Sequence, residues 1–157
     1  MYPEYSKIKK FLDDAKLLDS TSKTLKDIYD LSIVRNRKNV ACLFYNESGK
    51  LKKYKYAQFD KNARIMANNL SRFLRKQEIG KPVILKLTNN PHWGEAFWAI
   101  VMSGFTPLLI DARTGHNGTI NLINQSKAVG IITDDLYEYD IEKILVGELL
   151  ENNGLIS

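Results

Sequence analysis

The sequence predicts an α/β domain: a doubly wound, mostly parallel sheet flanked by helices, with an antiparallel β-hairpin beside it. Three observations lead there. From Val83 to Leu149, short apolar runs alternate with segments whose apolar residues recur at helical spacing, joined by short connections. Ahead of them, two β-rich runs flank the turn-forming stretch Asn46 to Gly49. The chain has 157 residues, 44% of them hydrophobic and 26% charged, which is enough for one domain, residues 1–157, to bury a core.

Taken in order, Tyr5, Ile8, Phe11, Leu12, Ala15 and Leu18 fall on one side of a first amphipathic helix. Thr24 opens a second, with Asp27 three residues on in a capping-box arrangement, and Leu25, Ile28, Tyr29 and Ser32 form its inner face. Val40 to Tyr45 and Lys50 to Tyr56 read as the two strands of the hairpin. A long helix follows, with Ala63, Met66, Ala67, Leu70, Phe73 and Leu74 on one face and Lys61, Arg64, Arg72 and Arg75 on the other. Gly80 and Pro82 mark its end.

Val83 to Leu87 then reads as a buried strand, interrupted in its apolar character only by Lys86. Asn89-Asn90-Pro91 is expected to start the next helix, with an Asn cap and proline in the first turn. Trp93, Phe97, Ile100 and Val101 line that helix, and Gly104 closes it. Pro107 to Ile110 is a strand, Ile120 and Ile123 sit on a helix, and Val129 to Thr133 is another strand. Ile141, Ile144, Leu145 and Leu149 are expected on one last helix. Right-handed crossovers between the parallel strands place helices on both faces of the sheet.

Composition removes several classes of function. The longest apolar stretch, Ala96 to Asp111, is broken by Gly104 and Pro107 and is shorter than the ~18 residues a membrane span requires. The basic N-terminus has no apolar segment behind it, so no signal peptide is expected. The single cysteine, Cys42, fits a reducing, cytoplasmic setting and reads as an inert thiol in an apolar strand. The net charge of +5 and the cluster Lys50, Lys52, Lys53 and Lys55, interleaved with Tyr54 and Tyr56, raise the question of single-stranded nucleic acid. No recognised nucleic-acid motif accompanies the cluster, so nucleic acid is not expected as a partner and the lysines read as a solvated strand edge.

Ligands of open α/β sheets bind beyond the carboxyl ends of the strands, which here are Thr88-Asn89-Asn90, Asp111-Ala112-Arg113 and Thr133-Asp134-Asp135. Asn89 and Asn90 read as helix caps and Asp111 as a loop-stabilising acceptor. Adjacent Asp134 and Asp135 are expected to face opposite ways. His92 reads as structural and His116 as a surface residue. No Cys, His and carboxylate spacing suits a metal, and no glycine-rich phosphate loop or catalytic triad is present. No catalytic, cofactor-binding or metal-binding residue is therefore assigned.

Four segments, taken together, resemble the front end of an adenylate-forming enzyme, the superfamily of acyl-CoA synthetases, peptide-synthetase adenylation domains and luciferases. Tyr54-Lys55-Tyr56-Ala57-Gln58-Phe59 is similar to that family's L-T-Y-x-E-L segment. Leu87-Thr88-Asn89-Asn90-Pro91 resembles its L-P-N-S-P element, and Val101 to Asp111 its L-K-A-G-x-x-x-V-P-L-D element. Ile120 to Asp134 is similar to its Y-I-L-x-D-S-x-A-x-x-x-x-T-D run. Gln58, Thr88 and Asn124 depart from the pattern, as does the stretch Ala112 to Asn117.

The resemblance implies the first subdomain of a larger enzyme whose phosphate loop and catalytic lysine belong to a later part of the polypeptide. It implies an ATP- and Mg-dependent ligase that joins a carboxylic acid to a thiol such as CoA through an acyl-adenylate, with the remainder of the polypeptide as this chain's partner. The chain alone is expected to be inactive and to hold no cofactor itself. Tyr54, Tyr56, Asn89, Pro91, Gly104, Pro107 and Asp111 match the family motifs and are read as structural. The competing expectation is a non-catalytic α/β module that binds a partner chain.

Overall fold

The computed structural model of the protein describes residues 24–46 and 48–151, together with residues 9, 12, 13, 15–17 and 20. Of the expected first amphipathic helix, Tyr5, Ile8, Phe11 and Leu18 lie outside the described residues, while Leu12 and Ala15 are helical.

Helix α1 (Leu25–Tyr29) begins with the reciprocal cap the sequence predicts. The Asp27 amide donates to Thr24 Oγ1 at 3.2 Å, and the Thr24 amide donates to the Asp27 carboxylate at 2.9 Å. A π-helical turn, Asp30–Val34, continues it. Strands β1 (Val40–Tyr45) and β2 (Leu51–Lys55) pair antiparallel, with Leu43 opposite Lys53 and Tyr45 opposite Leu51. Asn46 shapes their turn by accepting the Lys50 amide at 2.8 Å, and Gly49 supplies a φ of +70°.

Tyr56 belongs to helix α2 (Tyr56–Phe73) rather than to the strand in which its β-forming neighbours suggested it. The first helical amides explain this. Tyr56 donates to the Asn39 carbonyl at 3.1 Å and Ala57 to the Arg37 carbonyl at 3.0 Å, so backbone of the preceding turn caps the helix in place of a side chain.

The second sheet is wholly parallel, with spatial order β4-β3-β5-β6. Strand β3 (Pro82–Lys86) lies between β4 (Thr106–Leu109) and β5 (Gly130–Thr133), and β6 (Glu142–Leu145) extends the β5 side. Helix α3 (Trp93–Met102) crosses from β3 to β4, α4 (His116–Ser126) from β4 to β5, and α5 (Val146–Leu150) follows β6.

Side-chain alternation along β3 separates two cores. Val83, Leu85 and Leu87 join Met66, Leu70 and Leu74 of α2, Ala96, Ala99 and Ile100 of α3, and Ile132, Ile144 and Leu149. Ile84 points the other way and packs with Ile131, Ile123 and Ala128 under α4. Helices thus cover both faces, as the doubly wound reading requires.

Two helix boundaries differ from the sequence reading. Helix α3 starts at Trp93, not at Asn90-Pro91, because the Asn90 side chain accepts the His92 amide at 2.8 Å and closes a separate turn first. The single helix expected through Ile141, Ile144, Leu145 and Leu149 is instead β6 followed by α5. The outer edge of β5 has unpaired backbone groups, and Glu142–Leu145 satisfies them in parallel register; that pairing outweighs a helical period of only a few residues. Leu145 accordingly turns outward, 40% exposed, while Ile144 is fully buried. Gly104 ends α3 with φ +81°, and a Cβ there would stand 3.0 Å from Ile79.

Buried polar side chains fasten these elements, and periodicity gave no sign of them. Asp60, fully buried on α2, accepts the Tyr29 hydroxyl at 2.8 Å, Arg37 Nε at 3.1 Å and Arg64 Nε at 2.8 Å, which ties α1, the turn before β1 and α2 to one carboxylate. Burial pushes that carboxyl up, but the three donors outweigh it and hold it below the ordinary aspartate value. Asn69, also on α2, donates to the carbonyls of Leu149 and Glu151 at 2.9 and 3.0 Å and so caps the end of α5.

Two outcomes are expected in denaturant titrations. Leu85→Ala removes a fully buried side chain from the larger core and lowers the unfolding free energy by about 2–5 kcal/mol. Asp60 acts through its charge. Because its native pKa lies below the unfolded value, its contribution is complete above the unfolded value near pH ~4 and is lost as the pH falls through the native value. Asp60→Asn is therefore less stable than the parent at neutral pH and shows a shallower loss of stability on acidification. Parallel acid limbs for the two proteins would refute this.

Candidate functional site

The carboxyl edge of the parallel sheet is where this topology places a site. The chain leaves β3 toward β4 on one side and returns to β5 on the other, so the ends of β3 and β5 flank the switch point, the place where open α/β sheets bind ligands. Thr88 stands on one side and Asp134 and Asp135 on the other.

These groups are bonded to one another. The Thr88 amide donates to Asp134 Oδ2 at 3.0 Å, and the Thr88 hydroxyl donates to the same oxygen. Lys86, the last residue of β3 and only 3% exposed, donates its ammonium to Asp135 Oδ2 at 2.6 Å, and the Tyr139 hydroxyl donates to that oxygen at 2.7 Å. Burial raises the Asp135 carboxyl, yet Lys86 and Tyr139 bring it below the usual range. Tyr139 is pushed up to about 12, first by burial and then by its bond to Asp135. The two aspartates thus lie past the end of β5 rather than in a strand, and both reach the end of β3, Asp134 to Thr88 and Asp135 to Lys86, instead of facing opposite ways.

His116 is not the surface residue expected. It opens α4, stacks on Tyr137 with ring centres 4.6 Å apart, lies 5.3 Å from Tyr139, and encloses a Nδ1 that has no hydrogen-bond partner. The third loop carries Asp111, whose Oδ1 accepts the Arg113 amide at 2.8 Å while its Oδ2 takes the guanidinium at 2.6 Å. Arg113 holds this exposed carboxyl down at about 2. Asp111 thus bonds within its own loop.

A second polar cluster joins the hairpin to the body. Glu95, in the first turn of α3 and fully buried, accepts the Tyr54 hydroxyl and lies 2.5 Å from His92 Nδ1. Asn62 of α2 donates to the Tyr54 hydroxyl at 2.6 Å. Tyr54 packs edge-on against Phe44 and His92. Burial, then the bond to Glu95, raises its pKa. His92 is thus held against Glu95 and Tyr54. Cys42 is half-buried, and burial followed by the Glu95 charge raises its thiol, which makes it a poor nucleophile.

Tyr54, placed inward, is unavailable for base stacking, and Tyr56 lies on a helix; of the hairpin aromatics, Tyr45 alone is fully outward, at 73% exposed. The basic–aromatic pattern therefore dissolves in three dimensions. Asn89 and Pro91 are exposed in the loop before α3. Pro107 sits in β4, an edge strand, where a missing amide is tolerated. The family-motif residues are thus dispersed along the framework, not gathered round one point.

Lys86, Glu95 and Tyr139 carry much of this geometry and were not singled out as functional from sequence. The available signals were a cation within an apolar strand and an acid one helical turn after His92. Two clefts, of about 330 and 360 Å³, flank Trp98; the first is lined by Lys26, Tyr29, Asp30 and Arg64, the second by Cys42, Tyr56 and Phe59. Among the described residues no group of three His, Cys, Asp or Glu side chains is placed to hold a metal ion, and no helix is long and apolar enough to cross a membrane.

No family model matches the chain, and neither does any curated protein. Solved structures do. The N-terminal subdomain of NpsA from Klebsiella oxytoca, in complex with 3-hydroxybenzoyl-AMSN, superposes with a TM-score of 0.69 at 16% identity, over 85% of this chain and 33% of that one. An artificially fused adenylation–PCP di-domain, NpsA-ThdA from the same organism, gives 0.66 at 16% identity, over 80% and 23%. O-succinylbenzoate CoA synthetase (MenE) from Bacillus subtilis, in complex with AMP, gives 0.60 at 16% identity, over 75% and 32%. The chain spans about a third or less of the length of each. What these likenesses share with the parallel sheet, its flanking helices and the docked hairpin is architecture: the chain has the fold found in the N-terminal portion of adenylate-forming enzymes.

Proposed function

We propose that this chain is the first subdomain of an ATP-dependent carboxylic acid–thiol ligase. In that reaction a carboxylate oxygen attacks the α-phosphorus of ATP and pyrophosphate leaves. A thiol, that of CoA in this reading, then attacks the acyl carbonyl and AMP leaves. The observation that carries the proposal is the superposition on the NpsA subdomain over 85% of the chain. The ordered motif segments from Tyr54 to Asp134 support it independently.

The chain's own residues do not fit the nucleotide. At the carboxyl edge Arg113 and Lys86 are already engaged by Asp111 and Asp135, and Asp134 adds a further carboxylate on Thr88, so these cations are not free for a triphosphate. No chemical step is therefore routed through these residues. Their role in the proposal is to hold a rigid first layer. Asp60 and Glu95 lock α1, the hairpin, α2 and α3 together, and the remainder of the polypeptide supplies the groups that bind ATP, Mg and the acid.

The test uses the native polypeptide, isolated from its own cells with an antibody raised to this chain. Carboxylate-dependent exchange of labelled pyrophosphate into ATP is expected with at least one member of a panel of aromatic and aliphatic acids. The isolated 157-residue chain is expected to give none. A folded native polypeptide that fails to exchange across the whole panel would overturn the ligase reading in favour of a partner-binding module.

A further inference from the structure

We propose that the outward side of helix α3 is a docking face, and that its occupant is the part of the same polypeptide that follows this chain. The proposal rests on the ligase reading for the existence of that part, and it adds which surface receives it.

Composition is the first argument. Glu95 is the one polar residue of α3, and it is fully buried. At 3.6 residues per turn Glu95, Ala96, Ala99 and Ile100, all buried, occupy one side of the helix. Trp93, Phe97, Trp98, Val101 and Met102 fill the rest of the circumference, which therefore carries no polar side chain. Trp93 is 36% exposed and the other four are half-buried. The other long helices are built differently: α2 exposes Lys61, Arg64, Asn68 and Arg72, and α4 exposes Asn117, Asn121 and Asn124. A helix that is apolar all round belongs in an interior. Both tryptophans of the chain lie on this outward side, and aromatic residues and methionine are the side chains that protein interfaces concentrate.

Shape is the second argument. Trp93 stacks on Phe97 with ring centres 6.0 Å apart, and Trp98 meets Phe97 edge-on at 5.3 Å, so the aromatic groups form one continuous apolar strip. Beside it the cleft of about 330 Å³ between Tyr29, Trp98, Val101 and Met102 is an open socket for apolar side chains, with Lys26, Asp30 and Arg64 also in its lining. A lipid surface is the poorer match, because a helix that lies on a membrane backs its apolar face with a cationic one, and the back of α3 is buried in the core.

The choice of occupant follows from covalent linkage and from length. The chain spans about a third of the NpsA subdomain it superposes on. A segment joined to the chain meets α3 at a high effective concentration, which neither a second copy nor a separate partner can match, and it keeps an apolar strip of this kind from lying exposed.

Photocrosslinking in the full-length polypeptide that carries the chain tests this. p-Benzoylphenylalanine is placed at Trp93, where it replaces an exposed aromatic residue, and at Asn121 on the polar side of α4 as the comparison. The same probe at Val101 repeats the measurement from within the strip if the first replacement disturbs folding. Equal parts of unlabelled and nitrogen-15-labelled polypeptide separate crosslinks within a molecule from crosslinks between molecules. Crosslinks from 93 or 101 to residues beyond 157 of the same molecule are expected, in yields well above those from 121. Crosslinks between copies or to another protein in their place, yields matched at 121, or no crosslink in a folded polypeptide would overturn the docking face. Pyrophosphate exchange on the same preparation keeps the two readings apart. Exchange without these crosslinks removes the docking face and leaves the ligase standing, whereas the crosslinks without exchange remove the ligase and leave the docking face.

Discussion

Strand β3 must be covered on both faces, and most of the architecture follows from that requirement. Val83, Leu85 and Leu87 demand an apolar layer on one side and Ile84 demands one on the other. A single helix cannot supply both, so the chain lays α2, α3 and α5 against one face and α4 against the other. The cost falls at the end of the strand, where alternation carries Lys86 into the α4 side and the loop after β5 delivers a carboxylate to it.

Polar side chains then decide how the layers are joined. Each of the principal buried acids serves several elements at once: Asp60 gathers α1, the turn before β1 and α2, while Glu95 links α3 to β2 and the loop after β3. Such multiply bonded carboxylates fix orientation, because a shift of any one element breaks bonds to the others. The hairpin, which pairs with no strand of the parallel sheet, is tied to the body through Tyr54, whose hydroxyl meets Asn62 of α2 and Glu95 of α3.

How far the sequence was legible follows from the range of each interaction. Elements set by local period or local chemistry were readable: the Thr24–Asp27 cap, the inner face of α2, the apolar run of β3, the glycine that stops α3. Elements set by distant partners were not. Glu142–Leu145 becomes a strand because β5 lacks a neighbour, and Tyr56 starts a helix because Asn39 and Arg37 offer carbonyls. The same distinction governs the site. Thr88, Asp111, Asp134 and Asp135 could be placed at strand ends from topology, but the pairing of Lys86 with Asp135 spans 49 residues and the pairing of Tyr54 with Glu95 spans 41. His116 was misplaced for that reason: the tyrosines that enclose it come from the loop after the next strand.

The hairpin's two edges are unequal, and this bears on how the chain behaves in concentrated solution. Strand β2 carries Lys52, Lys53 and Lys55, whose charges discourage another strand from docking beside it. Strand β1 reads Val-Ala-Cys-Leu-Phe-Tyr, six residues without charge, proline or glycine, with Leu43 58% and Tyr45 73% exposed. Among the described residues its only strand partner is β2, and none of them pairs with the backbone along the far edge of β1. An uncharged, apolar, open edge of that length is the composition that seeds self-pairing. Of the hairpin's two strands, β1 is the one that sets no charge against such pairing, while the lysines of β2 do.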